Sequence, residues 1–170
     1  KWQQVVYNEL NPLAYDLFNR AIKGEFNYDR FKPTFISREE FYDKKELDGY
    51  VKYIWSFGNN GNGYLFGKHI ENYKRILHNL IVFDDYTEIN SIYPEFTKIP
   101  ETCLGIKSRR LYMCGYAKKL GLSKQHVRAQ QLERLERLQQ LQQLQQLQQL
   151  YTSNLDYRNF KFLPDDIIYC

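Results

Sequence analysis

Apolar and polar positions along this chain follow three different periods, and each period predicts an element. Val5 to Tyr7 form a short apolar run that reads as a strand, with the acidic Glu9 just after it. Asn11 stands where a helix N-cap belongs and Pro12 takes the first helical position. Leu13, Leu17, Phe18 and Ile22 then recur at helical spacing, and Gly24 closes the helix. A strand so near the terminus, with nothing before it to pair with, implies a missing preceding piece. Further on, Ser37 and Glu40 have capping-box spacing and begin a short helix. Ile70, Ile76, Leu77, Leu80 and Ile81 predict a helix after Lys68. The stretch "WSFGNNGNGYLFG" reads as a flexible glycine-rich connection, and Pro94 and Pro100 make residues 83–101 a region of turns. "LYTSNLDYRNF" reads as a strand with turn chemistry around Asn154 and Asp156, and Ile167 to Tyr169 as another.

A third period fills residues 132–150, where leucine occupies every third position. At roughly 100° per residue an α-helix places each such leucine about 60° behind the last, so no single apolar stripe forms. A coiled coil needs alternating steps of three and four, which this repeat lacks. A 3₁₀-helix would align the leucines, but long runs of it are unfavourable. No Gly or Pro occurs from Leu122 to Leu163, so a long α-helix packing on different neighbours along its length is predicted. The repeat could also serve self-association.

The fold class that follows is α/β. Residues 1–24 and 151–170 supply pieces of an α/β core, residues 25–122 form a mainly helical insertion, and residues 123–150 form the long helix. The chain has 170 residues and is 43% hydrophobic, enough for one domain with an insertion. No apolar run reaches the length of about 18 residues that a membrane span requires. Cys103, Cys114 and Cys170 are an odd number without metal-ligand spacing, and His69, His78 and His126 stand apart from them. Free thiols in a reducing cytoplasm are expected.

Charge is distributed unevenly. The net +4 is modest, but between Glu101 and Glu133 there is no acidic residue at all. That window holds Lys107, Arg109, Arg110, Lys118, Lys119, Lys124 and Arg128, interleaved with Tyr112 and Tyr116. Such a stripe can neutralise the phosphates of double-stranded DNA, or can form a solvated helix face. Inside it, Ala117, Gly121 and Val127 have the spacing of a helix-turn-helix over 111–130. The small residue allows close approach, the glycine turns the chain, and the valine plugs the core. Ser123 would cap the second helix, and Lys124, Gln125 and Arg128 would project outward, where glutamine can pair with adenine and arginine with guanine or phosphate. A non-catalytic DNA-binding protein is one reading of this element.

The order of pieces also resembles the Dam-like DNA adenine methyltransferases of phage and prophage type. "VVYNELNPLAYDLFNRAIKG" is similar to that family's second strand and helix, "WSFGNNGNGYLFGK" to its aromatic segment leading into target recognition, and "SNLDYRNF" to the segment near the cofactor's adenine. "IIYC" is similar to the residues before the catalytic Asp-Pro-Pro-Tyr, and Leu-Gln repeats before an "LDYR" segment also occur in prophage members. The resemblance implies a Rossmann-like core with a helical target-recognition insertion. It implies S-adenosylmethionine as cofactor, with Glu9 at the ribose hydroxyls and Asp156 at the adenine amino group. It implies methylation of the exocyclic amino group of adenine taken out of duplex DNA, as in restriction-modification. Arg109, Arg110, Lys118, Lys119, Lys124, Gln125 and Arg128 would face the DNA. The family's glycine-rich FxGxG loop and its Asp-Pro-Pro-Tyr tetrapeptide are both missing from these residues. The chain therefore reads as an internal fragment, inactive alone, of a cytoplasmic enzyme.

Overall fold

A computed structural model describes residues 5–122, 128–146, 150–156 and 158. The chain is mixed α/β and mostly helical, with six α-helices and one two-stranded parallel sheet among the described residues. Strand β1, Val5–Asn8, pairs with β2, Leu150–Ser153, in the register Val5 with Leu150 through Asn8 with Ser153. Helix α1, Pro12–Ile22, follows β1 directly. The Asn11 side chain accepts from the N–H groups of Leu13 and Ala14, so the cap and the proline start this helix as their chemistry dictates. Tyr7 stacks on Phe18 with ring centroids 3.8 Å apart, which seats one sheet face on α1. On the other face Val6 and Tyr151 lie side by side in register and are exposed.

Helix α2, Arg38–Lys44, begins with the reciprocal Ser37–Glu40 capping box. Helix α3, Gly49–Ile54, is capped by Asp48. The glycine-rich stretch after it differs from the flexible connection its composition suggests. Trp55, Ser56, Tyr64, Leu65 and Phe66 are all buried, and Ser56 bridges Tyr64 in antiparallel fashion. The glycines and asparagines make a tight turn between aromatic anchors, and the aromatics rather than the glycines set its order. Helix α4, Lys68–Phe83, presents Ile76, Leu77, Leu80 and Ile81 to the core. Residues 84–105 are turns and one short 3₁₀ segment, Ile89–Ser91. Helix α5 spans Ile106–Lys119.

The leucine repeat departs from the single long helix expected for 123–150. Helix α6 spans only Gln130–Leu141, a 3₁₀ segment follows over Gln142–Gln146, and Leu150 already belongs to β2. The physical reason lies in the period. Leu132 and Leu135 are fully buried between α1 and α3, while Leu138 and Leu141 pack only partly on the core. A continued α-helix would carry each further leucine another ~60° away from that core. The 3₁₀ geometry, with three residues per turn, keeps residues three apart on one side. Because Leu132 and Leu135 are enclosed by their own chain, they are not available for self-association.

Candidate functional site

The carboxyl ends of β1 and β2 lie side by side, and both candidate cofactor ligands follow them. In parallel sheets this end is where ligands bind. Two asparagines lace the ends together. The Asn8 Oδ1 accepts from the Ser153 hydroxyl at 2.7 Å and from the Leu155 N–H at 3.1 Å, while its Nδ2 donates to the Leu155 carbonyl at 2.9 Å. The Asn154 amide, turned to satisfy both its ends, donates to the carbonyls of Glu9 and Leu10 at 2.8 and 2.9 Å. The Glu9 N–H continues the ladder to Ser153 O at 3.1 Å. Glu9 is half-buried, and its carboxylate accepts from the Asn11 N–H at 2.9 Å. Asn11 also donates to the Tyr53 hydroxyl at 2.8 Å, which ties this loop to α3. Asp156 accepts from the Arg158 guanidinium and N–H, and these bonds hold its carboxyl below the usual range. Sequence reasoning singled out Glu9 and Asp156 but not Asn8 and Asn154. Polar residues at the last strand position and just beyond a strand were the available signal.

The basic candidates divide into two groups. Arg109 points inward: its Nε donates to Ile81 O at 2.6 Å and its Nη2 to Val82 O at 3.2 Å, so it caps the carbonyl end of α4. Arg110 pairs with Glu133 at 3.2 Å and Glu136 at 2.5 Å, and only 11% of its side chain is exposed. Lys107 also reaches Glu136, at 2.7 Å. Lys107 and Arg110 are therefore paired in space with carboxylates of α6, and Arg109 and Arg110 do not present free cations to a DNA backbone. Lys118 and Lys119 are exposed in the last turn of α5, where the helix dipole favours them. Ala117 is fully buried, and Gly121 follows at φ +72°, a left-handed position that favours glycine. Leu122 N–H returns to Ala117 O at 3.0 Å. Lys124 and Gln125 lie outside the described residues, as does Val127. Arg128 is exposed and pairs with Glu133 at 2.9 Å.

Two buried ionisable groups had no signal in their spacing. His78 is enclosed in the core, where its Nε2 donates to the Pro33 carbonyl at 2.8 Å and its Nδ1 accepts from Gln131 at 3.3 Å. Burial pushes the imidazole down to about 4. Lys74, also buried, donates to Arg128 O at 3.0 Å, and burial lowers its ammonium to about 8. For His78 the consequence is acid sensitivity. Between pH 6.5 and 4 the unfolded chain binds a proton that the folded chain refuses, so stability present above pH 6.5 falls on acidification. The expected loss is up to roughly 3 kcal/mol. Denaturant unfolding of the chain and of His78→Gln across that range checks it; equal pH slopes would refute it.

A comparison with protein families, with curated proteins and with solved structures finds no match to this chain. Among the described residues no cluster of His, Cys, Asp or Glu could hold a metal ion, and no helix is long and apolar enough to cross a membrane.

Proposed function

We propose that this chain is part of an S-adenosylmethionine-dependent methyltransferase acting on adenine in duplex DNA, and that it supplies two cofactor-side carboxylates. The observation that carries the reading is the placement of Glu9 and Asp156 after the carboxyl ends of two adjacent parallel strands. A carboxylate at such a strand end can accept two hydrogen bonds from ribose hydroxyls, and a second, one strand over, can accept from an adenine amino group. Parallel strands ordinarily lie inside sheets covered on both faces. Here α1 covers one face, and Val6 and Tyr151 are exposed on the other, a face that a doubly wound core would cover. The Asp-Pro-Pro-Tyr tetrapeptide to which the family resemblance assigns methyl transfer does not occur in these 170 residues.

A second reading, a helix-turn-helix DNA-binding protein, draws support from the buried Ala117 and the left-handed Gly121. Cofactor binding separates the two. In the product of the complete reading frame that contains this segment, Glu9→Gln is expected to weaken S-adenosylmethionine binding by roughly tenfold to a hundredfold, through loss of a charge-assisted pair of hydrogen bonds. Calorimetric titration measures this. A protein that does not bind the cofactor, or binds it unchanged after the substitution, would leave the helix-turn-helix reading in its place.

A further inference from the structure

The start of α6 borders a polar hollow of about 180 Å³, lined by Asn59, Arg128, Gln130, Glu133, Arg134 and Arg137. Gln130, Arg134 and Arg137 fall at i, i+4 and i+7 and so share one face of the helix, away from the buried Leu132 and Leu135. Arg134 is fixed from behind, since its Nη1 donates to the carbonyls of Ile54 and Ser56 at 2.6 and 2.8 Å. Its Nε and Nη2 have no protein acceptor among the described residues. Arg137 is exposed and without an ion pair among the described residues. The one carboxylate on the hollow, Glu133, is already divided between Arg128 at 2.9 Å and Arg110 at 3.2 Å.

Three arginines thus face one shared carboxylate. Burial first, and then the like charges of Arg128 and Arg137, lower the proton affinity of Arg134. Ala129 at the N-cap offers no side-chain acceptor to the first-turn N–H groups of α6, and that end of the helix favours negative charge. A polyanionic group would relieve each of these deficits at once. A guanidinium fork matches two oxygens of a phosphate, and two uncompensated forks match its charge.

We propose that this hollow is a phosphate-binding site, with Arg134 and Arg137 as its forks and Arg128 and Gln130 at its rim. The phosphate comes either from the backbone of a nucleic acid strand crossing the start of α6 or from the terminal group of a small phosphorylated molecule. The assignment does not depend on the methyltransferase reading and would stand if that reading failed.

The test uses the whole 170-residue chain, with Arg137→Gln as the variant, because Arg137 is exposed and its loss leaves the core intact. Lys23→Gln, an exposed position elsewhere, controls for net charge. Thermal unfolding is followed in inorganic phosphate against chloride of equal ionic strength, and a labelled mixed-sequence duplex is titrated at several salt concentrations. Phosphate is expected to raise the melting temperature of the parent and of Lys23→Gln but not of Arg137→Gln. If the source is a strand, Arg137→Gln also weakens duplex binding by about tenfold and lowers the salt slope by about one. A phosphate effect without a duplex effect identifies a small phosphorylated ligand. Arg137→Gln indistinguishable from Lys23→Gln in both assays overturns the proposal.

Discussion

Gly49→Ala is expected to destabilise the chain by about 4 kcal/mol or more, at the severe end for a single methyl group. Gly49 opens α3 at its crossing with α1 and is itself buried. A Cβ at this position would lie 2.1 Å from the Leu13 carbonyl oxygen, 2.9 Å from its carbon and 3.3 Å from Leu17 Cβ. The first two are backbone atoms of a capped helix, so no rotamer change relieves the clash. α1 and α3 must separate, which uncovers Leu17 and Val51, both core residues. Loosening α1 also loosens the Tyr7–Phe18 stack beneath β1. The same substitution at Gly115, inside α5 with nothing within 4 Å of the added methyl, should stabilise by about 0.5–1 kcal/mol through helix propensity alone. Urea unfolding of both variants beside the parent provides the comparison. Equal midpoints for Gly49→Ala and the parent would mean that α1 and α3 do not meet as described.

What sequence could disclose depended on how local the determining chemistry was. The Asn11–Pro12 start of α1 and the Ser37–Glu40 box of α2 are settled within four residues, and both stand as the pattern predicts. The apolar spacing of α4 likewise reflects the helix's own period. Pairings across long separations left no such trace. The register that joins Asn8 to Ser153 spans 145 residues, and nothing in either strand's composition names the other. The acid-free window reads as an open cationic stripe because Glu133 and Glu136, which pair with its Lys107, Arg110 and Arg128, follow it in sequence and meet it only in space. The inward turn of Arg109 onto the α4 carbonyls is of the same kind. At the candidate site, Glu9 is legible as an acidic residue just after a strand, whereas Asp156 reads as turn chemistry and is singled out only by the family resemblance. The asparagines that bind their loops together were not, since asparagine at a turn reads first as turn chemistry.

The leucine repeat supplies the sharpest contrast between pattern and packing, and Leu135→Ala is expected to cost about 4 kcal/mol. The repeat makes its leucines look equivalent: each sits three residues from the next with polar residues between. In space they are graded. Leu132 and Leu135 have no exposed surface, Leu138 and Leu141 pack partly against the core, and Leu144 is half-buried in the 3₁₀ segment. A leucine removed from an enclosed position costs its transfer free energy and leaves a cavity whose walls lose their contacts, which together amount to roughly 3–5 kcal/mol. Leu144→Ala removes a side chain that still meets water, so its cost should be about 1 kcal/mol. Helix propensity favours alanine at least as much as leucine, so the difference between the two variants reports packing and not local helix formation. Denaturant midpoints of Leu135→Ala and Leu144→Ala, at unchanged slope, give that difference directly. Similar losses for both would indicate that Leu144 is enclosed as fully as Leu135, and would argue against the graded burial of the repeat.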